Sequence, residues 1–202
     1  MADDLSARAR FIETMAQLLE RQGYYGTGLN EIVQQSGAPK GSLYHYFPGG
    51  KEELAAAAIT DQGKRVAEYI RSELAKRDDP VEAIHALVAE MGRNMAASGW
   101  CTGGPITSVA LETSASSERL RDACGGAYAA WEAAFREKLV ASGFPPERAD
   151  RLATLIAASV EGAIILARVR RCPDALNRVA AEMKVLLESA RPAGSVRSQE
   201  LA

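Results

Sequence analysis

Between Ser36 and Lys51 the chain reads SGAPKGSLYHYFPGGK, with two lysines, one histidine and two tyrosines and no carboxylate. In aqueous biochemistry such a set serves anionic partners. Lys40 can neutralise a phosphate, hydroxyl and imidazole groups can reach phosphate oxygens or base edges, and Gly41 permits close backbone approach. The same residue types could also do acid–base work, but the rest of the chain offers them no catalytic company. The only histidines, His45 and His85, lie at unrelated places, and no metal-ligand spacing or Ser-His-Asp arrangement accompanies them. Gly49-Gly50, Gly103-Gly104 and Gly125-Gly126 lack the spacing of a phosphate-binding loop. Cys101, Cys124 and Cys172 are odd in number and share no CxxC spacing, which predicts reduced thiols rather than a disulfide framework. The expectation is a binding protein and not an enzyme, with no metal and no cofactor.

The elements that must hold these residues are all helical. Ala, Leu, Glu and Arg dominate the periodic stretches, and no sustained period-2 alternation marks a strand. A first helix is predicted from Ser6 to Arg21, with Phe11, Met15, Leu18 and Leu19 on one face and Gly23 ending it. Thr27 is expected to cap a short second helix carrying Leu29, Ile32 and Val33, which stops at Ser36-Gly37. A third short helix starts near Lys40 and turns Leu43 and Phe47 inward. Pro48-Gly49-Gly50 breaks the chain before a long helix over 51–76. Asp79-Pro80-Val81-Glu82 is a strong helix start. Further helices are predicted to Ser98, over 106–113, from a cap at Ser116 or Ser117 to Ser142, from Pro146 to Arg171, and from Pro173 to Arg191. That makes about nine helices, with 192–202 as a disordered tail.

Residues 29–47 thus have the organisation of a helix-turn-helix, in which a rigidly held second helix presents its outer face to a major groove. With that geometry stated, the run TGLNEIVQQSGAPKGSLYHYFPGGKEEL from Thr27 to Leu54 resembles the DNA-binding signature of the TetR/AcrR family of transcriptional regulators. The resemblance implies a three-helix DNA-binding domain over residues 1–50 and a larger helical bundle over 51–191 that binds ligand and dimerises, the helix 51–76 connecting the two. Carried over position by position, it implies that Thr27, Tyr46 and Lys51 contact backbone phosphates. Lys40, Gly41, Ser42, Tyr44 and His45 would lie on or against the groove. Gly49-Gly50 makes the approach to Lys51 one residue longer than the common family spacing. The segment GGPITSVALE from Gly103 to Glu112 resembles an LmrA/YxaF-like branch with drug-efflux and flavonoid-responsive regulators, although Gly104 stands where members often carry Cys.

The remaining helices carry more apolar surface than a monomer easily hides. Leu152, Leu155, Ile156, Val160, Ile164, Ile165 and Leu166 wrap much of one helix, and Leu176, Val179, Ala180, Met183, Leu186 and Leu187 line the last. Helices 146–171 and 174–191 are therefore expected to form a homodimer interface, the other reading being an intramolecular core. Met91, Met95, Trp100, Leu111, Tyr128, Trp131, Phe135, Ile164 and Arg168 are the candidates for a pocket that takes a small apolar or aromatic effector.

Composition limits the function without naming it. The formal net charge of -2 gives no bulk electrostatic signal for nucleic acid, so the case rests on local arrangement. The N-terminus has no secretory pattern, and the apolar stretch Ala153 to Ala167 reads as too short and too interrupted to span a bilayer, which predicts a cytoplasmic protein with no membrane partner. The function expected is a ligand-responsive regulator, in the family's usual mode a repressor released from a near-palindromic double-stranded DNA operator by a small-molecule effector. The alternative is a helical small-molecule-binding or scaffolding dimer without DNA binding.

Overall fold

The computed structural model describes residues 6–104 and 106–191. Among these, all regular structure is helical: α1 (Ala7–Gly26), α2 (Leu29–Ser36), α3 (Lys40–Tyr46), α4 (Gly50–Ala75), α5 (Pro80–Ala97), α6 (Thr107–Thr113), α7 (Glu118–Ala141), α8 (Pro146–Arg170) and α9 (Asp174–Ser189). The all-α expectation and the order of elements hold. The expected tail 192–202 lies outside the described residues.

The chain forms two compact units built from interleaved segments, 1–66 with 102–129 and 67–101 with 130–202. Gly50, at the boundary expected between the two domains, starts α4 inside the first of these units. The first unit contains α1, α2, α3, α6 and the leading portions of α4 and α7. Its core gathers Phe11, Met15, Leu19, Ile32, Leu43, Phe47, Leu54, Ile59, Val109 and Leu120, each at most 1% exposed. Inside it α4 and α7 cross closely at Gly63, where an added Cβ would lie 2.5 Å from the Ala127 Cβ.

Helix ends in this unit follow local chemistry, with two departures from expectation. Gly23 does break α1, at φ 71° and ψ -175°, but one further turn continues to Gly26. Thr27 does not cap α2. It is 1% exposed and its hydroxyl donates to the Gly23 carbonyl (2.7 Å), so it closes α1, while Gly28 stands at the N-cap of α2 without a side chain to offer. Ser117 caps α7 as expected, its oxygen accepting from the Leu120 amide at 3.1 Å.

The second unit packs α5 against α8 and α9, together with 67–75 of α4 and 130–141 of α7. Asp79 caps α5 by accepting from the Val81 amide, with Pro80 in the first turn. The same carboxylate accepts from Arg191 Nη2 on both oxygens at 2.8 Å, and Lys184 reaches Glu82 at 2.7 Å, tying α9 to the start of α5. The two faces of α8 separate cleanly. Leu152, Ile156, Val160 and Ile164 are buried, whereas Leu155, Ile165, Leu166 and Val169 are exposed. On α9, Leu176, Ala180, Met183 and Leu187 are buried within the chain, which corrects their assignment to an interface with a second copy. They are the inner face of an intramolecular packing with α5 and α8.

The length assigned to the apolar stretch also needs correction. α8 is 25 residues long, and its most apolar window, with a mean hydropathy of 1.8, reaches the length and composition of a membrane span. Ser159 and Glu161, which interrupt the apolar run from Ala153 to Ala167, lie within the continuous helix.

Two predictions follow from this packing. Gly63→Ala has to push α4 and α7 apart, and overpacking of this kind costs about 1–3 kcal/mol; thermal unfolding should show a Tm lower by roughly 2–12 °C. An unchanged Tm would mean that the crossing is looser than it stands here. Burial of Cys124 pushes its thiol up to about 11, whereas Cys101 is exposed. A thiol reagent at mildly alkaline pH should label Cys101 in the folded protein and Cys124 only after denaturation, because the thiolate is the reactive species.

Candidate nucleic-acid interface

A seven-residue helix such as α3 cannot hold itself together, since nucleation costs exceed what so few hydrogen bonds return. Its geometry comes from Leu43 and Phe47, both 1% exposed in the core of the first unit, where α3 packs on α1. The turn before it is built locally. Gly37 takes the left-handed conformation at the end of α2, and the Ser36 hydroxyl donates to the Val33 carbonyl and accepts from the Ala38 amide. Val33, expected to help anchor α3, is only half-buried and lines a groove of about 330 Å³ together with Gly28, Leu29, Asn30, Lys40, Leu43 and Tyr44.

With its two anchors fixed, α3 turns Lys40, Gly41, Tyr44, His45 and Tyr46 to solvent. His45 and Tyr46 meet edge to face, ring centroids 5.1 Å apart. Ser42 is half-buried and its hydroxyl donates to the Pro39 carbonyl at 2.7 Å, which leaves the oxygen as an acceptor. Thr27 stands apart from this group. With its side chain buried and its hydroxyl proton given to Gly23, it cannot offer that hydroxyl to a phosphate, and any contact there falls to the uncapped amides at the start of α2.

After α3 the extra residue of the Pro48-Gly49-Gly50 turn is absorbed by Gly50, whose φ of 67° is a conformation that side-chain-bearing residues rarely adopt. The Gly49 amide donates to Glu53 Oε2 at 2.7 Å, so the turn is locked onto the first turn of α4. Lys51 does not project freely. Its ammonium sits 4.1 Å from the centre of the Tyr24 ring, burial lowers its pKa, and Glu112 opposes that shift.

Two further cations in this unit, Arg8 and Arg119, were not among the expected site residues. Arg8 lies 5.5 Å over the Phe47 ring, and the Arg119 guanidinium is packed so closely on Gly49 that a Cβ there would stand 2.8 Å from it. Both are brought close by tertiary folding, and only the glycine pair at 49–50 could have suggested a close approach.

The candidate effector residues divide between the units. Met91, Met95, Trp100, Trp131, Phe135, Ile164 and Arg168 belong to the second, Leu111 and Tyr128 to the first. Met95, Trp131, Phe135 and Ile164 are buried core, while Met91, Trp100 and Tyr128 are half-buried. Arg168 Nη2 donates to the Cys101 carbonyl at 2.7 Å, holding the loop after α5. Leu111 is 78% exposed, which corrects its placement in a pocket wall: Val109 and Thr113 are the buried residues of α6, and Leu111 points the other way.

Comparison with known proteins agrees with this geometry. Residues 11–58 match the family of bacterial regulatory proteins of the tetR type, and residues 80–182 match the C-terminal domain of LmrA/YxaF-like transcriptional regulators. The chain is similar to the HTH-type transcriptional regulator YxaF of Bacillus subtilis, with 41% identity covering 90% of this chain and 95% of that protein. It is also similar to the HTH-type transcriptional regulator LmrA of Bacillus subtilis, with 40% identity covering 79% and 85%. Among solved structures, a TetR transcriptional regulator from Chloroflexus aurantiacus superposes with a TM-score of 0.74 at 31% identity, covering 90% of this chain and 94% of that one. An exposed recognition helix held by two buried anchors, within a chain matched along most of its length by such regulators, identifies the protein as a member of the TetR family of DNA-binding transcriptional regulators, with an LmrA/YxaF-like C-terminal domain.

Proposed function

We propose that this regulator works as a cytoplasmic homodimeric repressor that leaves its operator when a small apolar or aromatic molecule binds. The observation that carries the DNA side of this reading is the outer face of α3, where Lys40, Gly41, Tyr44, His45 and Tyr46 are exposed together without a carboxylate among them. In this reading Lys40, Tyr46 and Lys51 hold phosphates, while Gly41, Ser42, Tyr44 and His45 lie along the groove. The first amides of α2 take the phosphate that the Thr27 hydroxyl cannot.

The homodimer is supported by the outer face of α8. Leu155, Ile165, Leu166 and Val169 are large apolar residues left in water, and the small Ala158 and Gly162 between them leave room for a second helix. On α9 only Val185 is a large exposed apolar residue, so α8 supplies most of this face. A two-fold arrangement would set two recognition helices about one DNA turn apart and match a near-palindromic site. Effector binding is supported by the half-buried Met91 and Trp100 of the second unit, whose side chains suit a flat apolar molecule. Preference for the unbound state by roughly 2–3 kcal/mol is enough to change operator affinity by up to about a hundredfold.

Binding to a duplex selected from random sequence, titrated with salt and excess nonspecific DNA, tests this function. Lys40→Ala and Tyr46→Phe should weaken the specific complex while leaving Tm nearly unchanged. Lys40→Ala should also lower the salt slope by about one per subunit, because each lost phosphate contact retains its counterion. Operator affinity unaffected by both substitutions would remove α3 from the interface. The dimer has its own test: Leu166→Glu places a carboxylate in the apolar face and should convert a dimer to a monomer in sedimentation or light scattering.

A further inference from the structure

Glu112 lies in the segment 103–112 singled out in the sequence, and the recognition motif leaves it without a role. It reaches the first turn-and-a-half after the break in α1. At Gly23 the helix loses its register, so the amides of Tyr24 and Tyr25 have no ordinary helical acceptor behind them. Glu112 Oε2 accepts from both, at 2.8 and 2.9 Å. A carboxylate from α6 thus caps the last turn of α1 from outside, with the negative charge at the end of the turn where amide hydrogens are exposed. A Cβ at 23 would stand 2.0 Å from Glu112 Oε1, so any other residue there has to displace the carboxylate from its place.

That capped turn supports the residue next to the DNA-facing helix. Tyr24 presents its ring beneath the Lys51 ammonium at 4.1 Å, and Glu112 itself attracts the same cation. Neighbouring links hold α6 and the loop before it on α1. Ser108 donates to the Leu19 carbonyl, the Gly103 amide donates to Glu20 Oε1 at 2.9 Å, and the Tyr25 and Ser116 hydroxyls lie 3.3 Å apart. All of these residues belong to one compact unit.

We propose that Glu112 is a positioning residue for operator binding: by capping the broken turn of α1 it fixes the Tyr24 ring under Lys51 and so aims that ammonium at the DNA backbone. This rests on the reading of Lys51 as a phosphate contact. Glu112 touches no DNA in this scheme and acts through Tyr24 and Lys51.

The test uses the full chain and the duplex that the wild-type protein selects from random sequence. Operator affinity and its salt slope are measured for Glu112→Ala, Glu112→Gln, Lys51→Ala and the double variant Glu112→Ala with Lys51→Ala. A merely structural residue would lower affinity through the folded fraction, with an unchanged slope. A residue acting through Lys51 should reproduce the Lys51→Ala loss of about one unit of slope per subunit, and the double variant should bind no more weakly than Lys51→Ala alone. Glu112→Ala is expected to weaken binding about tenfold, and Glu112→Gln, which keeps an acceptor oxygen for the two amides, to fall between it and wild type. If Glu112→Ala fails to fold, Glu112→Gln and the comparison of Tyr24→Leu with Lys51→Ala carry the same slope criterion. Affinity within about twofold of wild type, or losses that add to that of Lys51→Ala at unchanged slope, would overturn the proposal. Wild-type binding with a Lys51→Ala defect but no Glu112 effect removes only this inference. Wild-type binding without a Lys51→Ala defect removes the reading of Lys51 beneath it.

Discussion

Two side chains, Leu43 and Phe47, hold a helix that has too few residues to exist alone. Everything presented by α3 depends on them, because its own backbone bonds cannot offset the entropy of ordering seven residues. Their burial in the core of the first unit decides which of the intervening side chains face water. The selection is strict: four residues apart on a helix, the two anchors fix its rotation about its own axis, and Lys40, Tyr44 and His45 then have only one place to go. A substitution that loosened the anchors would disturb the interface without touching any residue in it.

The same unit manages its polar groups with comparable economy. Breaking α1 at Gly23 frees backbone donors that cannot be left dry, and Glu112 and the Thr27 hydroxyl between them satisfy the break on both sides. Gly50 and the Gly49–Glu53 bond do the same for the turn that follows α3. Each break in a helix of this unit is therefore matched by a side chain from elsewhere in the sequence or by a glycine.

In the second unit the organising fact is the division of α8 into two apolar faces. One is covered by α5 and α9 and completes a core; the other leaves Leu155, Ile165, Leu166 and Val169 exposed among the described residues. Exposed apolar area of that regularity is costly in water and is seldom kept without a partner. The pair of Lys184 with Glu82 lies at the surface, where such pairs add little to stability, while the part-buried pair of Arg191 with Asp79 helps set the register of α9 on α5.

Much of this was legible in the residues. Periodicity placed the helices, Asp79-Pro80 and the pair Ser116-Ser117 announced helix starts, and the run from Thr27 to Leu54 carried both the helix-turn-helix and the family. These are local signals: a cap, a proline or an apolar repeat acts within a few residues of itself. What sequence could not supply is which apolar face meets which neighbour, and which distant group completes a broken element. Thr27 read as a cap for α2 because its hydroxyl is adjacent to both helices, and only the folded chain decides that it turns back to Gly23. Leu176 and Met183 read as part of an interface with a second copy, and only the folded chain shows them buried within it. Nothing linear pairs Glu112 with Tyr24, which lie 88 residues apart, or brings Arg119 to Gly49. Sequence by itself determined the helices and the chemistry that α3 carries, since both are written in short-range pattern. The tertiary structure alone decided the aim of that chemistry, because aim is set by long-range packing and by hydrogen bonds between residues that the chain keeps far apart.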